Sequence, residues 1–206
     1  MIKAQQINHY YGKEQVLYDI NLEIQKGEFI ALVGTSGSGK STLLSILSTL
    51  LKPTSGTLTF DNLPYQKIKN INTFRKEYVG FVFQFHYLIE YLSVKDNITL
   101  ATENQENKYL DELLKYLKIE ELSNKLPNQI SGGERQRAAI ARALINKPKV
   151  IFADEPTGNL DSQNSQNVFA LLQEVANQGT TVIVATHDTE LAKMTDRICE
   201  ITDGKL

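Results

Sequence analysis

Residues Gly34-Thr35-Ser36-Gly37-Ser38-Gly39-Lys40-Ser41 fit the pattern G-x-x-x-x-G-K-[ST] at every fixed position. Before them lies the apolar, β-prone run Phe29-Ile30-Ala31-Leu32-Val33, which reads as a buried strand. After them, Ser41 to Leu47 carries apolar residues at helical spacing. A strand, a glycine loop and a helix in this order predict a phosphate-binding P-loop. Glycines at 34, 37 and 39 let the backbone curl until successive N–H groups point inward. The helix adds its positive end to the same anion site. Residues 34 to 42 (Gly34, Thr35, Ser36, Gly37, Ser38, Gly39, Lys40, Ser41 and Thr42) are therefore the expected nucleotide contacts. Lys40 would reach the β- and γ-phosphates, and the Ser41 hydroxyl would ligate Mg²⁺. The chain is expected to bind a nucleoside triphosphate.

At 206 residues the chain can bury a substantial core but is short for two independent domains. Its 41 % apolar and 22 % charged content is that of a globular protein. A net charge of −2 offers no bulk attraction for nucleic acid, so no nucleic-acid partner is expected. Cys199 is the sole cysteine, which rules out an intramolecular disulfide and suits a reducing cytosol. No apolar stretch approaches the ~20 residues that span a bilayer. Residues 1–6 lack the apolar core of a signal peptide. Any membrane-spanning part would come from another polypeptide.

The pattern along the chain predicts an α/β fold: a mostly parallel sheet wrapped by helices, an N-terminal antiparallel β region and a helical insertion. Strands are expected at Ile2 to Tyr10, Ile20 to Ile24 and Phe29 to Val33, the last two joined as a hairpin by Gln25-Lys26-Gly27-Glu28. Lys52-Pro53 would stop the P-loop helix, and strands follow at 57–60 and, buried, at 79–83. Residues 93–145 read as mostly helical, with an amphipathic segment from Tyr109 to Leu117 and a second helix from Gly133. From Lys149 the alternation resumes: strand 150–153, helix 164–176, strand 181–185, a helix around Leu191 and a strand near 198–201. One domain over 1–206 is expected, with a core of about 1–92 and 146–206 and a helical subdomain of about 93–145.

Asp154 and Glu155 follow strand 150–153 directly, and strand carboxyl ends open onto the ligand crevice of a parallel sheet. Asp154 would meet the Mg²⁺ held by Ser41, while Glu155 can polarise a water. Ser131-Gly132-Gly133-Glu134-Arg135 opens a helix with a hydroxyl and free N–H groups, either an anion site or an ordinary serine cap.

These motifs together resemble the ATP-binding-cassette family, over essentially the whole chain. Ser131-Gly132-Gly133-Glu134-Arg135 is similar to its LSGGQ signature, with Ile130 for Leu and Glu134 for Gln. The resemblance implies further roles. Gln84 is similar to the Q-loop glutamine that touches Mg²⁺ and the attacking water. Asn159-Leu160-Asp161 is similar to the D-loop that crosses to the opposite subunit, and His187 to the switch histidine on the γ-phosphate. Tyr11 is similar to the aromatic that stacks on adenine, although Tyr10 is adjacent and either could be a core residue. The implied mechanism has Mg²⁺ on Ser41, Gln84 and Asp154. Water is oriented by Glu155 and His187, and Lys40 offsets the developing charge. Two copies would pair head to tail, the Ser131 helix of one closing on the ATP of the other.

Ala153 to Asp161, with Gly133 to Arg137 and Phe83 to Leu88, resembles one bacterial subgroup of exporters and release systems. Its substrates are macrolides, peptide antibiotics, bacteriocins and lipoproteins; a cell-division ATPase that controls cell-wall hydrolysis shares much of the pattern. With the chain stopping at Asp203-Gly204-Lys205-Leu206, the resemblance is to a minimal cassette. It implies a separate integral-membrane permease and a place on the inner face of the plasma membrane. Phe85, Tyr87, Leu88 and Tyr91 would either form the groove for a permease coupling helix or belong to the core of the helical insertion. A small-molecule kinase would have no use for the Ser131 motif, and a soluble cassette of DNA repair or translation would need a long coiled-coil insertion or two cassettes in one chain, neither of which the sequence shows.

Overall fold

In the computed structural model, which describes residues 1–103 and 109–206, the strands form two sheets, one antiparallel and one parallel. The first half of the chain forms β1 (Ile2–Tyr11), β2 (Glu14–Ile24), β3 (Phe29–Val33), α1 (Lys40–Leu47), β4 (Ser55–Phe60), β5 (Leu63–Pro64), α2 (Ile71–Tyr78) and β6 (Val79–Phe83). The second forms α3 (Val94–Thr99), α4 (Tyr109–Tyr116), α5 (Gly132–Leu144), β7 (Val150–Asp154), α6 (Ser162–Asn177), β8 (Thr181–Thr186), α7 (Thr189–Ala192) and β9 (Arg197–Glu200). Among the described residues β2-β1-β4-β5 make an antiparallel sheet and β6-β7-β8-β3-β9 a parallel one.

β1 and β2 alternate buried and exposed positions, as expected of a sheet with one wet face. β3 and β8 are buried at every position because both faces of the parallel sheet are covered. Phe29, Ala31 and Val33 face a core built with α3 to α6, while Ile30 and Leu32 face a second core with α1 and the antiparallel sheet. Helix α1 buries Leu43, Leu44, Ile46 and Leu47 there, each contributing about 1.5–3 kcal/mol. The P-loop is thereby fixed between a buried strand and a buried helix.

The expected hairpin between β2 and β3 does not form. β2 pairs with β1, and β3 is flanked on both edges by parallel partners, β8 and β9. The connecting turn instead carries the chain from one sheet to the other. Its Gly27 N–H donates to Thr181 Oγ1 (3.0 Å), and Arg197 Nε donates to Glu28 Oε1 (2.7 Å). Three smaller expectations also shift. β2 begins at Glu14, ahead of Ile20. Helix α1 ends at Leu47, before Lys52-Pro53, because Thr49 takes a left-handed φ of 68°. β6 is an edge strand with alternate residues only partly buried.

The helical stretch forms as α3, α4 and α5; its part at 104–108 lies outside the described residues. α4 buries Leu110, Leu113 and Leu114, the stripe that its amphipathic spacing predicts. Asn97 and Arg142 are among the side chains that hold the loop between β6 and α3, beside Asn159, whose amide donates to the Gln84 carbonyl at 3.3 Å. Fully buried Asn97 bonds the backbone at Ile89, Leu92 and Ser93, and Arg142 donates to the carbonyls of His86 and Tyr87, both at 2.6 Å. Phe85, Tyr87 and Tyr91 are 61, 64 and 81 % exposed, so they are not core; only Leu88 packs inward. No described helix is long and apolar enough to cross a membrane.

Candidate active site

The carboxyl ends of four parallel strands converge on one cavity of about 770 Å³. β3 delivers the P-loop, β6 delivers Gln84, β7 delivers Asp154 and Glu155, and β8 delivers His187. Val16, Thr35 to Gly37, Gly39 to Thr42, Gln84, Glu155 and His187 line the cavity, and the Val16 carbonyl lies close beside Gly39 of the P-loop. Gly39 caps α1 at a φ of 104°, a left-handed conformation that favours glycine. Lys40 is largely buried, and its ammonium donates to the carbonyls of Gly34 (2.8 Å) and Thr35 (2.9 Å). A phosphate entering here would take over those bonds.

Ser41 Oγ donates to Asp154 Oδ1 at 3.0 Å, joining two sequence motifs more than a hundred residues apart. Burial pushes the Asp154 carboxyl above its ordinary value; the Ser41 bond and the Lys40 charge pull it back, and Glu155 adds to the rise. A half-buried carboxylate with a neighbouring hydroxyl is a hard-oxygen pair suited to Mg²⁺, which binds through one or two carboxylates plus substrate phosphates. Among the described residues no cluster of three His, Cys, Asp or Glu forms an all-protein metal cage.

Glu155 Oε2 lies 2.9 Å from His187 Nδ1 and also accepts from the His187 N–H at 3.4 Å. The glutamate has a φ of +46°, locked by its N–H on Ala185 O (2.9 Å) and its carbonyl under Gly158 N–H (3.1 Å). Gln84 lies against Gly158, where an added Cβ would come within 2.6 Å of the Gln84 amide nitrogen.

The Ser131 motif stands apart from this cavity. Ser131 is exposed and caps α5 in a capping box: its N–H and hydroxyl donate to Glu134 Oε2 at 2.7 and 2.8 Å, and its Oγ accepts from Glu134 N–H. These bonds hold the Glu134 carboxyl below its ordinary value. Asn164 packs where a Cβ on Gly133 would stand, and Leu160 touches Gly132. Asp161 caps α6 through Asn164 N–H at 2.8 Å. The N-terminus of α5 and the loop at 159–161 thus form one surface, and Ser131, Gly132, Gly133, Glu134 and Asp161 do not line the cavity. Tyr10 and Tyr11 are both exposed, at 41 and 52 %, so neither belongs to the core. The Tyr10 hydroxyl is tied to Gln15, whereas the Tyr11 ring meets the His9 ring edge-on at 4.8 Å. Sequence patterning gave no sign of Val16, which carries no motif, nor of the left-handed Glu155 backbone.

A parallel sheet that gathers a P-loop, a carboxylate pair and a histidine at its strand ends defines a P-loop nucleoside triphosphatase. The chain belongs to the ABC transporter family, which it matches over residues 17–158. It is an ATP-binding and ATP-hydrolysing cassette. It is 40 % identical over 215 residues to the lipoprotein-releasing system ATP-binding protein LolD of Bacteroides thetaiotaomicron, covering 100 % of this chain and 99 % of that protein. To the macrolide export ATP-binding/permease protein MacB of Campylobacter jejuni it is 41 % identical over 214 residues, covering 100 % of this chain and 33 % of that protein. The dimeric cassette MJ0796, solved in a post-hydrolysis state with ADP and Pi, superposes with a TM-score of 0.88 at 37 % identity, covering 100 % of this chain and 96 % of that one.

Proposed function

We propose that this chain is the ATPase subunit of a bacterial export or release system, working on a peptide, lipoprotein or antibiotic-like substrate through a separate membrane permease. The observation that carries the ATPase mechanism is the convergence of Lys40, Ser41, Gln84, Glu155 and His187 on one cavity, with Asp154 bonded to Ser41 just behind its lining. Likeness over full length to LolD, and to the MacB segment, favours the export and release subgroup. ATP would lie with its phosphates on residues 34–42 and its base against the half-exposed Tyr11. Mg²⁺ would be held by Ser41, Asp154 and Gln84 together with phosphate oxygens, and when bound it neutralises phosphate charge. Glu155 orients the attacking water and His187 aligns beside it, since the two already share a 2.9 Å contact. Lys40 and the loop N–H groups offset charge developing on the γ-phosphate.

The Ser131–Glu134 surface and Asp161 would serve the ATP of a second copy, because they lie off their own cavity. The chain would divide into a catalytic core, about 1–92 and 146–206, and a helical subdomain, about 93–145. The exposed Phe85, Tyr87 and Tyr91 would meet the permease, placing the chain peripherally on the inner face of the plasma membrane. Glu155→Gln tests the core of this mechanism: it keeps the shape but loses the base, so hydrolysis should fall ~10²–10⁴-fold. ATP should then hold two chains together as a dimer in size-exclusion chromatography. A variant that hydrolyses ATP at the parental rate would remove Glu155 from the mechanism.

A further inference from the structure

We propose that Gly204, which lies in no nucleotide-binding motif, is a positioning residue of the P-loop. Residues 202–205 form a two-residue hairpin turn. Thr202 and Lys205 exchange both backbone bonds at 3.0 Å, and Asp203 and Gly204 between them have φ values of +48° and +74°. Asp-Gly is the sequence that such a doubly left-handed turn selects. The turn is not free at the surface. Buried Gly204 donates its N–H to the carbonyl of Ser38 inside the P-loop (3.0 Å) and accepts from Tyr18 N–H in β2 (2.8 Å).

That first bond has a directional consequence. The Ser38 carbonyl and the Gly39 N–H belong to one planar trans peptide, so they point in opposite directions. Fixing the carbonyl outward on Gly204 aims the Gly39 N–H the other way, and Gly39 lines the cavity. The residue just before the turn repeats the device. Ile201 N–H holds the Val33 carbonyl at 2.7 Å, and a Cβ on Gly34 would run into the Ile201 carbonyl. The loop is thus held from behind at both ends, which presets N–H groups that a lone glycine-rich loop would leave disordered.

Only glycine fits at 204. An added Cβ would collide with the Val16 carbonyl and come 2.9 Å from the Tyr18 ring, pushing the turn off Ser38 and off the strand whose Val16 lines the cavity. Gly204→Ala should therefore weaken binding of Mg·ADP on the order of 10-fold, the size of one lost phosphate contact. The measurement is a Kd taken well below each protein's melting temperature, so that lost stability alone does not move it. Asp203→Asn retains a residue that tolerates left-handed backbone and should bind like the parent. Asp203→Val disfavours the turn without placing an atom in the contact and should raise Kd several-fold, which decides the matter if Gly204→Ala does not fold. Folded Gly204→Ala or Asp203→Val protein that binds Mg·ADP within two-fold of the parent would overturn the proposal, whatever its melting temperature. A parent that fails to bind Mg·ADP would overturn it together with the P-loop assignment.

Discussion

A glutamate in left-handed backbone costs about 1–2 kcal/mol relative to an ordinary helical or extended residue. Glu155 accepts that cost because its N–H and carbonyl are both bonded, and the side chain is thereby turned toward His187. Identity was legible here, since Asp-Glu after an apolar strand is visible in sequence; the conformation was not, because glutamate has no turn signature. Glu134 is the opposite case. Its capping box follows from Ser-x-x-Glu spacing alone. The carboxylate accepts two bonds from Ser131 and sits at a helix N-terminus, so its folded pKa lies below the ordinary value of 4.5. A depressed acid contributes stability above its unfolded pKa and loses it as pH falls through the folded value. Glu134→Gln keeps the cap but has no charge to lose. The parent should melt higher than this variant at neutral pH, and the gap should start to narrow below about pH 4.5 and close as pH falls through the lowered folded value. A gap that stays constant across that range would show that charge plays no part in the cap.

At the scale of elements, the parts that repeat locally were legible and those that depend on distant partners were not. Apolar runs at 29–33, 150–153 and 181–185 identify strands buried on both faces, and they became β3, β7 and β8. Nothing in Gln25 to Glu28 reveals that β3 is claimed by β8 and β9 from the far end of the chain, so a short turn looked like a hairpin. The loop between β6 and α3 was equally opaque. Its exposed aromatics read as possible core, since the residues that fix its course, Asn97 and Arg142, lie 8 and 55 or more positions away. Arg142 binds two successive carbonyls as a rigid fork, a geometry that lysine does not reproduce. Arg142→Ala should lower the unfolding free energy by about 1–3 kcal/mol in urea, as expected when acceptors lose their partner. Limited proteolysis should then cut selectively within 85–91, and Arg142→Lys should recover little. Unchanged cleavage in the alanine variant would mean that the loop is fixed without Arg142, by Asn97 and Asn159.

At the scale of the molecule, the cavity and the Ser131 surface are two halves that one copy does not bring together. If a second copy completes each site, the two halves can be inactivated separately. Lys40→Ala removes the cation proposed to hold the β- and γ-phosphates, so its homodimer should have two dead sites. Ser131→Arg places a bulky side chain where the helix end is proposed to close on a γ-phosphate, and its homodimer should be dead as well. In a mixed dimer one site carries both lesions and the other carries neither. ATPase activity should therefore reappear on mixing two inactive proteins, and more reliably when the two chains are covalently tethered so that pairing is assured. Up to half the parental activity per dimer is expected if the sites act independently, and less if each needs the other. A tethered heterodimer as inactive as either homodimer, beside an active tethered parent, would mean that Ser131 does not act across the interface or that both sites must be intact. Measuring nucleotide occupancy separates those two: with an intact composite site, the heterodimer should still trap one ATP per pair. A Ser131→Arg homodimer that hydrolyses ATP at the parental rate would dispose of the shared site altogether.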